Sequence, residues 1–121
     1  PDAKTGQMGY FNNIKGDWRY EEFFFEEFMP YVEKQYRIKS EKRYRAVAGL
    51  SMGGGGSFMY ALHRPELFSS ACPLSAYVGP LTQEDVKTFL TRTNQTATNE
   101  QIEAYFKRHH AINLINDVKD D

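Results

Sequence analysis

Val47–Ser57 reads VAGLSMGGGGS: a serine with a glycine two residues to each side, the second of which opens a run of four. Glycine this dense serves an activated nucleophile, a phosphate cradle or a flexible loop. A phosphate loop needs lysine after its last glycine. Here Gly54 is followed by Gly55, with no lysine nearby. A dinucleotide fingerprint needs a third glycine where Phe58 stands. A loose Gly/Ser loop leaves the apolar residues at both ends unexplained.

The flanks favour the nucleophile. Tyr44–Ala48 is short, apolar and β-compatible, and predicts a buried strand running straight into Gly49. From Met52 to about His63 the pattern turns helical, with Phe58, Met59 and Leu62 on one side. Gly49-Leu50-Ser51-Met52-Gly53 then matches G-x-S-x-G between strand and helix. A serine hydroxyl is a weak nucleophile until a base takes its proton. A sharp strand-to-helix turn exposes that hydroxyl, and glycine at 49 and 53 relieves the crowding two residues to either side. The helix N-terminus points its dipole at the site, and the Met52 N–H is placed to donate to a developing oxyanion. Gly54–Gly56 cost helix propensity, about 1 kcal/mol each, and predict close packing of this helix against neighbouring strands.

Outward from this block the chain alternates. Asp17 is placed to cap a helix from near Trp18, whose apolar face carries Tyr20, Phe23, Phe24, Phe28, Tyr31 and Val32. Pro30 lies inside that pattern and predicts a kink or a division, with helix on both sides ending near Tyr36. SSACPLSAY reads as a second short buried strand, with Pro73 near its start or at an irregularity. Thr82 with Asp85, and Thr98 with Gln101, form capping boxes before two further helices. The order helix, strand, helix, strand, helix, helix predicts an α/β fold with parallel pairing.

The 121 residues fit one small domain, with 40% hydrophobic and 26% charged residues, an ordinary globular composition. A net charge of −1 without charge blocks argues against a nucleic-acid groove or an anionic membrane surface as partner. No apolar run approaches the roughly 20 residues of a membrane span. Cys72 is the single cysteine, so neither an internal disulfide nor a multi-cysteine metal site is available, and its apolar neighbours suggest a buried thiol. No metal or other cofactor is called for.

RAVAGLSMGG followed by ALHRPELFSSACPLSA resembles the esterase D family of α/β-hydrolases, and YEEFFFEEFMPYVEKQYRI resembles the helix upstream of that family's nucleophile. The likeness covers about residues 17–79 and leans toward the bacterial carbohydrate esterases of the feruloyl and acetylxylan kind. It implies a partial α/β-hydrolase fold, 1–121 being one fragment incomplete at both ends, with Pro1-Asp2 ending an earlier strand. It implies a serine esterase working through an acyl-enzyme on Ser51. Met52 supplies half of the oxyanion hole, and Ser75-Ala76 stands where the family has Ser-Gly. Residues 78–111 would form a lid or pocket insertion. The substrate would be a small ester or an esterified polysaccharide, in a secreted or periplasmic setting. Alternatives are an S-formylglutathione hydrolase, an acyltransferase, or an inactive core that self-associates or joins a complementing fragment.

The acid and the histidine of a triad follow the serine in this family. Asp85 reads as a cap, and Asp117, Asp120 and Asp121 fall in a charged tail. His63 ends the nucleophile helix, away from the hydroxyl. His109 and His110 end a later helix, where a cation suits the dipole. Both triad partners are therefore expected from outside this chain.

Overall fold

A computed structural model describes residues 4–6 and 8–118, so Pro1-Asp2, Asp120 and Asp121 lie outside the described residues. The first helical stretch comprises α1 (Tyr20–Phe23), a π-helical turn (Phe24–Phe28) and α2 (Met29–Gln35). Then come β1 (Ala46–Leu50), α3 (Met52–His63) and β2 (Ser70–Leu74). Three helices follow: α4 (Gln83–Arg92), α5 (Asn99–His109) and α6 (Ala111–Asp117). The sequence predicts two helices after β2, and α6 is an additional short one.

Asp17 is not the cap of α1. Its carboxylate accepts from Asn13 Nδ2 at 2.6 Å, and Arg19 holds the N-cap position without a side-chain bond. Pro30 does not divide the helix. The backbone stays helical from Tyr20 to Gln35, and the proline stands second in α2, just after the widened π-helical turn. A proline ring collides with the carbonyl four residues earlier, and the five-residue spacing of a π turn relaxes that contact at Glu26. Both capping boxes form, Thr82 with Asp85 and Thr98 with Gln101.

β1 and β2 pair in parallel, with Ala46 opposite Ser70 and Leu50 opposite Leu74. Pro73 lies inside β2 opposite Gly49, not at its start. Leu74 turns its carbonyl to β1, where it accepts from Ser51 N–H at 2.9 Å. Successive residues alternate in direction along a strand, so the backbone of Pro73 faces the other edge and its missing donor costs no bond to β1.

The core sits on one face of this sheet. Phe25, Tyr60 and Phe68 form its centre, with Val47, Phe11 and Phe24 packed around them. A second cluster joins α4 to α5 through Val86, Leu90 and Ile102. Arg45 clamps both carboxylate oxygens of Glu33 at 2.7 and 3.1 Å, tying α2 to the entry of β1. The opposite sheet face is bare among the described residues: Ala48, Leu50, Cys72 and Leu74 are exposed. Neither strand is therefore buried as its apolar sequence predicts, and the Cys72 thiol is exposed. An apolar strand is buried on both faces only where layers cover both; here α3 covers one.

Candidate active site

Ser51 links β1 to α3 with φ 55° and ψ −112°. Positive φ is uncommon for a residue with a side chain and marks backbone held by its surroundings. Two bonds hold it: Ser51 N–H to the Leu74 carbonyl at 2.9 Å, and Gly55 N–H to the Ser51 carbonyl at 3.0 Å. Ser51 is exposed, and its hydroxyl makes no capping bond to the helix it precedes. Met52 opens α3, where first-turn N–H groups lack helical acceptors. The neighbouring strand ends alike, since Ser75 follows Leu74 with φ 43°. Two strands in register thus each leave the sheet through a serine of positive φ.

The five glycines of this block, Gly49 and Gly53 to Gly56, divide by what surrounds them. A Cβ on Gly49 would fall on the carbonyl of Gly53. One on Gly54 would lie 2.6 Å from the Leu74 carbonyl, and one on Gly55 would strike that of Tyr77. One on Gly56 would meet the Tyr10 ring at 2.8 Å. The predicted close approach of α3 to its neighbours is thus met by Gly54 and Gly55 against β2 and the segment after it. Gly53 differs: nothing lies within 4 Å of its Cβ position. The relief of crowding expected at both 49 and 53 is needed only at 49, because the collision is with the helix backbone, not with a side chain at 53.

The histidines lie in another arrangement. His63 Nδ1 meets Glu21 Oε1 at 2.6 Å, and its Nε2 meets the Arg108 carbonyl at 2.7 Å. A carboxylate and a carbonyl only accept, so both nitrogens donate. Arg64 adds a bond to the same Glu21 oxygen at 2.7 Å and stacks its guanidinium on the Phe25 ring. Burial alone would raise the Glu21 carboxyl, yet His63 and Arg64 hold it below the usual carboxylate range. This network joins residues 42 and 43 positions apart, and no local motif announces it.

His109 donates from Nδ1 to the Tyr105 carbonyl at 2.9 Å, and its ring is buried. Burial lowers it to about 4, so it is neutral and does not serve the helix dipole as a cation. His110 lies at the junction of α5 and α6, with a buried, unpartnered Nδ1. The Asp85 carboxylate accepts from the Leu81 and Thr82 N–H groups, and these bonds lower it. Asp117 is exposed at the end of α6. Among the described residues no group of three or more metal-ligating side chains comes together, and no helix is long and apolar enough to cross a membrane.

Residues 6–120 match the family model Esterase, described as "Putative esterase". An endo-1,4-beta-xylanase/feruloyl esterase of Xylanibacter ruminicola is 37% identical over 67 residues, 55% of this chain and 9% of that protein. Esterase Rv1288 of Mycobacterium tuberculosis is 36% identical over 84 residues, 66% of this chain and 17% of that protein. A solved ferulic acid esterase superposes with TM-score 0.64 at 30% identity, covering 93% of this chain and 39% of that one. The chain thus spans well under half the length of these relatives. The match along nearly its whole length, with the strand–serine–helix geometry, shows that the chain belongs to this esterase family and has an α/β-hydrolase type of fold.

Proposed function

We propose that the chain carries the nucleophile of a serine carboxylic-ester hydrolase, with Ser51 attacking the ester carbonyl and Met52 N–H stabilising the oxyanion. The observation that carries this reading is the exposed serine at φ 55° between the end of β1 and the start of α3. Attack by Oγ forms a tetrahedral intermediate, whose collapse expels the alcohol and leaves an acyl-enzyme for water to cleave. The base and its acid come from residues other than His63 and His109, which are engaged elsewhere. Feruloyl or acetyl esters are the proposed substrates, a choice supported by relatives named feruloyl and ferulic acid esterase. Residues 78–111 are proposed as a wall of the acyl pocket. In support, the Gly55 Cβ position abuts the Tyr77 carbonyl and that of Gly79 abuts the His109 carbonyl.

A fluorophosphonate probe tests the nucleophile. Labelling that maps to Ser51 and vanishes in Ser51→Ala supports it; labelling elsewhere, or none, overturns it. A second reading, an inactive core that self-associates, draws on the bare face with Leu50 at 67% and Leu74 at 53% exposure. Sedimentation showing a monomer at all concentrations would remove it.

A further inference from the structure

The α3 helix has a second end, and a cleft of about 330 Å³ opens beside it. Its lining includes Asn12, Glu21, Arg64, Gln101, Arg108 and His109, from the N-terminal loop, α1, the end of α3 and α5. Twelve residues of helix place it about 18 Å from Ser51, at 1.5 Å per residue. Two arginines, Arg64 and Arg108, line it together with one carboxylate, Glu21. That carboxylate is already engaged, because Glu21 Oε1 takes both His63 and Arg64. The Arg108 guanidinium, by contrast, makes no hydrogen bond or ion pair among the described residues. The cleft therefore carries unspent positive charge in the fork geometry that suits oxyanions.

A second observation narrows the ligand. His109 is 5% exposed, and its Nε2 is buried without a partner. Its Nδ1 donates to Tyr105, so Nε2 carries a lone pair and lacks a donor. Buried polar atoms are normally paired, and one that is not needs an explanation. We propose that this cleft is a second ligand site, taking an oxyanion that also carries an O–H group: a phosphate group or a hydroxy acid. The anionic oxygens pair with Arg108 and the free edge of Arg64, and the O–H donates to His109 Nε2. That atom is covered, so side chains at the cleft must move for the O–H group to reach it. A simple carboxylate satisfies the arginines but leaves His109 unpaired.

Histidine-ring NMR of the full chain at pH 7 and constant ionic strength provides the test. Inorganic phosphate, lactate and acetate are titrated separately. Expected is a saturable shift of His109 with phosphate and with lactate, while His110, whose Nδ1 is also buried and unpartnered, stays still. Acetate, equal in charge to lactate but without the hydroxyl, binds at least tenfold more weakly. Arg108→Gln weakens phosphate at least tenfold, whereas Arg37→Gln at an exposed site changes it less than twofold. Arg108 serves His63 only through its carbonyl, so unchanged His63 signals verify that the variant is folded. Identical titrations in wild type and Arg108→Gln, or no saturable change at His109, overturn the site. Equal affinity for acetate and lactate overturns the role of His109.

Discussion

The two ends of α3 are built on opposite principles. At its N-terminus the contacts are backbone against backbone: Ser51 N–H on the Leu74 carbonyl, and glycines where any Cβ would strike a carbonyl. At its C-terminus side chains make the contacts: Glu21 is shared by His63 and Arg64, and His63 also binds the Arg108 carbonyl. The first end leaves a hydroxyl exposed on a rigid turn. The second leaves the His63 side chain with no exposure at all. Reactivity needs an accessible atom on a frame that cannot relax, and packed glycine supplies the frame. Anchoring needs charge hidden from water and fully paired, which only long-range side chains supply.

The largest effect expected is on chemistry at the exposed end. Ser51→Ala lowers ester turnover on the order of 10⁴-fold or more, as loss of a nucleophile does, measured with p-nitrophenyl acetate on a form of the protein that turns it over. Its thermal midpoint stays within about 2 °C of wild type, since a small surface change away from the core costs little. A collapse of stability instead would mean that the serine serves the fold and not the reaction.

On stability, the glycines should dominate. Gly49→Ala and Gly55→Ala each place a methyl on a backbone carbonyl, of Gly53 and of Tyr77. Neither neighbour can rotate away as a side chain would, so each costs about 4 kcal/mol or more by urea denaturation, the upper range for single changes. At the other end, Glu21→Gln leaves His63 and Arg64 without their shared counter-charge, for about 3 kcal/mol or more. If Glu21→Gln were silent, the buried network would not be the anchor of that end.

Acid separates the two ends further. His109 lies near 4 in the fold against 6.5 ordinarily. Its folded value is depressed, so its contribution is complete above pH 6.5 and is lost as pH falls toward 4. Glu21, held below its ordinary 4.5, loses its contribution only at lower pH still. Between pH 6.5 and 4 the unfolding free energy of wild type, measured by urea denaturation, should therefore fall by up to about 3 kcal/mol. His109→Phe keeps a ring against Tyr105 and should flatten that slope. An unchanged slope would place the acid sensitivity elsewhere.

What the sequence disclosed follows the same division. The strand, serine and helix of the elbow lie within Ala46–His63, and local pattern determines them, as it does the capping boxes at Thr82 and Thr98. The Glu21–His63–Arg64 network was not legible, because 42 residues separate its partners and each alone reads as a surface charge. The burial of the strands was misread for a related reason. A short apolar run states what a strand can bury, not which layers are present to cover it. Pro30 shows a third kind of gap: sequence names the obstacle, while the π turn that accommodates it is a choice of hydrogen-bond spacing.

The smallest expected effect is the sharpest test of the elbow. Gly53 completes the G-x-S-x-G pattern, yet open space surrounds its Cβ position, and its φ is not positive. It stands second in α3, where alanine is the better helix former. Gly53→Ala should therefore leave stability unchanged or raise it by about 0.5 kcal/mol, against the heavy loss at Gly49 four residues earlier. If it instead destabilises as Gly49→Ala does, the crowding at this turn is symmetric, and the one-sided contact between Gly49 and the Gly53 carbonyl is not what shapes it. A neutral result would mean that the second glycine of the pattern is not required by the folded chain's own packing, in keeping with the open space around its Cβ position.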